Sequence, residues 1–219
     1  MPGFADRLNG ISVSASAAMT DKASELRSQG LKIVGLSSGE PDFPTPDHVI
    51  EAAIEAARSG DTKYPPQNGK PALRKAIQQK FLRENNLHYD LDEILVANGA
   101  KQIIFNTMMA TCNPGDEVIL PTPYWISYAD LARLGGAKVV QVPCRPENGF
   151  HLAPEDLEAA ITPKTKWLAL NFPNNPTGTC ASKEDLESIA RIMLKHPQVW
   201  IMTDDIYEHL VYDDFKFYT

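Results

Sequence analysis

Cysteine is scarce in this chain. Only Cys112, Cys144 and Cys180 occur among 219 residues, too few and too scattered for a disulfide framework or a zinc site. Three dispersed thiols fit a reducing, cytoplasmic setting. Long apolar runs are missing as well. No stretch approaches the ~20 apolar residues of a membrane helix, and residues 1–19 hold no continuous apolar segment of a secretory signal. Basic runs are absent: 21 Lys and Arg face 28 Asp and Glu, a formal net charge of −7. That balance argues against nucleic acid or an anionic membrane as a partner. Internal repeats and low-complexity tracts are also lacking. The remaining composition, 43% hydrophobic and 22% charged, is that of a globular protein of one large or two small domains with a sizeable core.

Proline, by contrast, is plentiful. Seventeen are present, above the usual ~5%, and they cluster at Pro41–Pro46, Pro65-Pro66, Pro121–Pro123 and Pro173–Pro176. Such clusters between periodic segments mark rigid loops, where sites are commonly built. The N-terminal part reads as a polar start, a helix over Asp21–Gln29 and a short strand at Lys32–Leu36. Thr45-Pro46-Asp47 predicts a helix start with a hydroxyl N-cap and proline at the first helical position. The helix that follows carries Val49, Ile50, Ala53, Ile54 and Ala57 on one face and ends at Gly60. A second helix places Leu73, Ile77 and Phe81 on one stripe.

From residue 93 the pattern turns regular. Strands are predicted at Glu93–Ala97, Glu117–Leu120, Lys138–Val142, Lys166–Phe172 and Val199–Thr203. Helices are predicted at Ala100–Thr111, Trp125–Leu134, Pro154–Ile161 and Lys183–Leu194. This alternation means βαβ units and a mostly parallel sheet, an α/β fold with helices over both faces. Ligands of such sheets bind beyond the carboxyl ends of the strands, so the loops after the strands are the candidate site.

Four of these loops carry usable chemistry. Asn98-Gly99-Ala100-Lys101 opens a helix whose first N–H groups favour a phosphate; read alone, it is equally a plain turn. It matches neither the dinucleotide glycine fingerprint nor a P-loop. Tyr124-Trp125, after two prolines, offers a face for a planar ligand, or merely fills core. Pro173-Asn174-Asn175-Pro176-Thr177-Gly178 holds an amide donor on a pre-set backbone. Asp204, after the apolar run Val199–Met202, must be paired or face a cleft. Asn175 and Asp204 are one helix and one strand apart, so both fall on the same edge of the sheet. A phosphate, a planar ring, a ring oxygen wanting donors and a ring nitrogen wanting an anion together describe pyridoxal phosphate.

With these residues in view, the chain resembles the fold-type I, class I aminotransferases, above all the bacterial aspartate aminotransferase branch with its members that accept prephenate or aromatic acids. The resemblance runs from about residue 10 to the last residue. It implies that Gly39, in Gly39-Glu40-Pro41-Asp42-Phe43, contacts a substrate carboxylate. Tyr64, in Lys63-Tyr64-Pro65-Pro66, would reach the cofactor phosphate of a partner subunit, implying a homodimer with shared sites. Gly99, Ala100 and Lys101 match the phosphate turn and Trp125 the aromatic stacked on the ring. Asn175 and Tyr207 match the donors to the ring oxygen. The Asp-x-x-Tyr spacing selects Asp204, rather than Asp205, as partner of the ring nitrogen. Lys101, with Ser14 and Ser16, would hold the distal carboxylate of an acidic substrate, while Trp125 and Asn175 also line the substrate site.

The resemblance also implies two domains: residues 1–45 as an N-terminal arm contributing to a small domain, and residues 46–219 as a cofactor-binding large domain incomplete at its C-terminal end. The family's Schiff-base lysine sits in a Ser-x-x-Lys context, and Lys216 lacks that serine. The lysine is expected beyond residue 219, so the 219-residue chain alone is expected to be inactive. The expected activity of the full-length protein is amino transfer between aspartate and 2-oxoglutarate by a ping-pong route. Alternatives are an aromatic, kynurenine or methionine aminotransferase, a lyase of the same fold, or an inactive fragment or non-catalytic binding module. Metal binding is not expected.

Overall fold

The computed structural model describes residues 3–11, 15–36 and 39–219, with the backbone alone for residues 15 and 16. The chain divides into two compact units, one of residues 12–70 and one of residues 1–11 with 71–219.

The first unit contains α1 (Ala15–Ser28) and α2 (Asp47–Arg58). Among its described residues there is no strand, so the segment expected as a strand at Lys32–Leu36 has no partner to pair with. The start of α2 also differs from expectation. Pro46 itself occupies the N-cap with extended dihedrals, and no side chain caps the helix, so the Thr45 hydroxyl plays no such part. The helix ends at Arg58 with Ser59 as its C-cap, followed by Gly60 at φ +80°, a conformation that suits glycine. Its apolar face has little cover: Val49 and Ile50 are exposed and no residue of α2 is buried.

The second unit is built on a parallel sheet. Its strands are β1 (Glu117–Thr122), β2 (Lys138–Pro143), β3 (Thr165–Asn171) and β4 (Trp200–Asp204), in the order β2-β1-β3-β4. Its helices are α3 (Pro71–Lys80), α4 (Ala100–Thr111), α5 (Ser127–Leu134), α6 (Pro154–Ala160) and α7 (Lys183–Met193), with a π-helical turn over Phe81–Asn85 directly after α3. Side-chain alternation along the strands feeds two cores. Val118, Leu120, Trp167 and Ala169 pack with Ile104 and Met108 of α4 and Leu131 of α5. Ile119, Leu168 and Leu170 point the other way, to Leu157 of α6 and Ile189, Ile192 and Met193 of α7. Helices on both faces are thus as the strand–helix alternation requires.

Two expectations fail here. Residues 93–97 do not form a strand: Leu91–Glu93 is a 3-10 turn closed by a capping box on Asp90, and Ile94 continues in extended conformation without a ladder. A strand exists only by pairing, and no described segment pairs with it. Second, β4 is not buried on both faces. It is one of the two edge strands, leaving Trp200 and Ile201 at 47% and 45% exposure. Among the described residues, no helix is long and apolar enough to cross a membrane.

Candidate active site at the strand ends

The carboxyl ends of β3 and β4 lie side by side, with Asn171 in register with Asp204. Asn171 is buried and polar, and both ends of its amide are used. Its Nδ2 donates to the carbonyl oxygen of Asp204 at 2.7 Å, and its Oδ1 accepts from the backbone N–H of Asn175 at 2.9 Å. One side chain therefore ties together the two loops expected to carry the site. The Asn174–Thr179 segment is further locked by its own bonds: Gly178 N–H to the Asn174 carbonyl at 2.8 Å, and the Thr177 hydroxyl to Asn174 Oδ1 at 2.9 Å. Asn174 closes the loop, while the Asn175 side-chain amide makes no hydrogen bond among the described residues. Three X-Pro bonds in the strand-end loops are cis, at Pro123, Pro173 and Pro176.

The carboxylate of Asp204 is paired. The buried Tyr128 hydroxyl donates to its Oδ2 at 2.6 Å, and the Ile206 N–H approaches its Oδ1 at 3.3 Å. Burial first, then Asp204 as acceptor and charge, and then the nearby Tyr207 phenol push the Tyr128 ionisation far above the ordinary tyrosine range. Tyr128 therefore stays a neutral donor to the Asp204 carboxylate. Next along the chain, Asp205 turns to the other side. Burial raises its pKa against the opposing hydrogen bond from the Thr219 hydroxyl.

Tyr128 lies one helical turn beyond Trp125, and their rings meet edge to face at 5.3 Å. The Lys101 ammonium stands 4.8 Å from the Trp125 ring centroid. Lys101 is exposed, and in this position it covers the indole. Trp125 and Tyr124 also pack on the core beside α4 and α5, and the Tyr124 hydroxyl accepts from Gln141 at 2.8 Å. The core role and the ligand-facing role are therefore compatible for Trp125.

At the head of α4, Gly99 is the N-cap at φ +90°, and a Cβ placed there would meet no atom within 4 Å. The first intrahelical donors are Gln102 and Ile103, both to the Gly99 carbonyl. The N–H groups of Ala100 and Lys101 precede them and remain available at the positive end of the helix. Thus a phosphate-sized anion, a planar ring and a protonated ring nitrogen would each find a matching group: helix N–H donors, the Trp125 indole and the Asp204 carboxylate. The donor set fits the group expected from the sequence.

The structure links Lys101, Trp125, Asp204 and the Asn175 backbone through Tyr128 and Asn171, with Gly99 and Ala100 contiguous to Lys101 and Tyr207 near Tyr128. Tyr128 and Asn171 are the residues the sequence reading missed. Tyr128 could have been found from its i+3 spacing to Trp125, and Asn171 as a polar residue closing the apolar strand Trp167–Leu170. Gly39 and Tyr64 belong to the other unit, where Gly39 is exposed and the Tyr64 side chain is fully so. Ser14 lies outside the described residues, and so does the side chain of Ser16.

The family model described as aminotransferase class I and II matches residues 32–219. A probable aspartate/prephenate aminotransferase of Rhizobium leguminosarum bv. phaseoli is 50% identical over all 219 residues, which are 55% of its own length. Its counterpart in Rickettsia felis is 52% identical over 213 residues, 97% of this chain and 52% of that protein. The crystal structure of the aspartate aminotransferase from Rhizobium meliloti superposes with a TM-score of 0.96 at 49% identity, covering 100% of this chain and 55% of that one. The Thermus thermophilus aspartate aminotransferase with maleate gives 0.95 at 47%, covering 99% and 56%. The chain spans about half the length of these relatives. With nearly the whole chain matched in both sequence and backbone, it belongs to the aminotransferase class I and II family.

Proposed function

We propose that the full-length protein is a pyridoxal-phosphate-dependent aminotransferase acting on aspartate and 2-oxoglutarate. The observation that carries this reading is the continuous series Lys101, Trp125, Tyr128, Asp204 at the strand ends, beside the free N–H groups of α4. Bound there, pyridoxal phosphate would supply an electron sink for the carbanion formed at the amino-acid Cα. The protein's own groups have separable tasks. Ala100 and Lys101 offer backbone N–H donors to the phosphate. Asp204, oriented by the hydrogen bond from the Tyr128 hydroxyl, would partner the protonated ring nitrogen. Asn175 and Tyr207 are suited as donors to the ring oxygen, and Trp125 offers its indole face to the ring. The Lys101 ammonium, released from that face, would meet the distal carboxylate of an acidic substrate. Gly39, Ser14 and Ser16 complete the proposed substrate contacts. Tyr64, fully exposed in its own unit, is proposed to reach the phosphate in a second subunit of a homodimer. We place the enzyme in the cytoplasm, and its domains as residues 1–45 and 46–219.

Support for an acidic substrate comes from two sides: the names of the relatives, and the dicarboxylate maleate with which the Thermus thermophilus enzyme was solved. The same names favour prephenate as a second amino acceptor. The test is amino transfer by the full-length protein with aspartate or phenylalanine as donor and 2-oxoglutarate or prephenate as acceptor, alongside cofactor absorbance. Oxaloacetate formation should clearly outpace phenylpyruvate formation, and D204N should lose both activity and cofactor affinity. Equal rates from aspartate and phenylalanine would overturn the substrate assignment. Failure to bind pyridoxal phosphate would overturn the whole reading.

A further inference from the structure

Away from the strand-end cluster, a set of charged groups joins the Phe81–Asn85 turn to the residues after Tyr207. Lys80 Nζ bonds Glu208 Oε1, donates to Asn85 Oδ1 at 2.9 Å and lies 3.7 Å from Glu84 Oε2. Asn85 Nδ2 donates to Glu208 Oε2 at 3.2 Å, so both oxygens of Glu208 are held. His209 Nε2 is 3.6 Å from Glu84 Oε2 and from Glu208 Oε1. The carboxylates and imidazole are spaced as metal ligands could be. However, the Lys80 ammonium already provides the positive charge they would seek, so a metal has nothing to add. The cluster acts instead as a clamp between segments 128 residues apart in sequence.

What the clamp holds is the segment carrying Asp204 and Tyr207. Upstream, that segment is fixed by the pairing of Asn171 with Asp204. Downstream, no helix or strand follows Asp204 among the described residues, and Asp213 and Asp214 both have positive φ. The local turns, Glu208 N–H to Asp205 O at 2.9 Å and Leu210 N–H to Tyr207 O at 2.8 Å, shape the segment but do not tie it to the body of the unit. The Glu208 side chain does. It is only 15% exposed, so solvent screens its partners less than at the surface. Burial raises its pKa, but Lys80 and Asn85 outweigh burial and leave it below the usual carboxylate value.

We propose that Glu208, gripped by Lys80 and Asn85, is a positioning residue that holds the Tyr207 hydroxyl where it can donate to the cofactor ring oxygen. The inference rests on the cofactor assignment above. Its test is a double-mutant cycle on pyridoxal phosphate affinity in the full-length protein, read by fluorescence quenching, with thermal unfolding measured in parallel. E208Q should weaken cofactor binding about 3- to 10-fold, Y207F should weaken it comparably, and E208Q/Y207F should bind no worse than Y207F alone, as coupled neighbours do. A merely structural role would lower the melting temperature and add its loss of affinity to that of Y207F. That additivity, or unchanged affinity in E208Q, overturns the proposal. If E208Q does not fold, K80M opens the same clamp from α3 and must show the same dependence on Tyr207. Wild-type protein that binds no pyridoxal phosphate would remove the cofactor reading itself, which separates the two failures.

Discussion

A phenol buried against a carboxylate holds its proton tightly, and Tyr128 is such a phenol. Replacing it with phenylalanine removes the donor to Asp204 while leaving the ring on Trp125. The partner is charged but partly open to water, so Y128F should cost about 1–2 kcal/mol of stability, measurable by urea unfolding. The pH dependence has a definite sign. In the unfolded chain Tyr128 ionises near pH ~10, whereas in the folded chain it stays protonated well beyond that. Its contribution is therefore complete below pH ~10 and declines as pH rises toward the folded value. Comparing unfolding at about pH 9 and about pH 11 should show a larger loss in wild type than in Y128F. Equal losses would exclude Tyr128 as the source. At this scale the sequence was readable wherever a residue's chemistry was unusual for its place: Asp204 after an apolar run, Asn175 between prolines, Trp125 after two prolines. Tyr128 and Asn171 were hidden because one looks like core and the other like a strand terminus. Their roles appear only when β3, β4 and α5 are brought together.

At the scale of elements, local signals located most boundaries. The stretch Ala100–Thr111 forms α4 as expected, and α7 starts where Ser182 and Asp185 form a capping box. The Ser182 hydroxyl accepts from Asp185 N–H at 3.1 Å, and Asp185 Oδ2 accepts from Ser182 N–H at 2.9 Å. Burial raises the Asp185 pKa, but Ser182 and then His151 outweigh it and leave it low. S182A should cost about 1 kcal/mol, and D185N should abolish whatever stability is lost on acidification through the Asp185 value. Chemical unfolding at neutral and at acid pH checks both. The elements that failed share one cause. Residues 32–36 and 93–97 have strand-like sequences, yet a strand needs a neighbour to complete its hydrogen bonds, and sequence periodicity says nothing about who that neighbour is. Likewise, Thr45 had the right chemistry for a cap, but the extended backbone at Pro46 took the position.

For the whole molecule, the open edge is the dominant physical feature of the described chain. β4 presents unpaired backbone with Trp200 and Ile201 exposed, and Leu210 and Tyr212 beyond it are exposed too. Exposed apolar edges template association, so the 219-residue chain by itself should self-associate. I201K should reduce this while leaving circular dichroism unchanged, as sedimentation velocity would show. A chain already monomeric before the substitution would refute the edge as the cause. Sequence alone determined that this is a parallel α/β protein and pointed to the loops after the strands as its candidate site, because periodicity, proline placement and lone polar residues are local properties. Tertiary structure decided that β4 lies at an edge of the sheet, that Asn171 binds two strand-end loops together, and that Tyr128 holds the Asp204 carboxylate. Each of those depends on contacts between segments tens of residues apart, which local spacing does not encode.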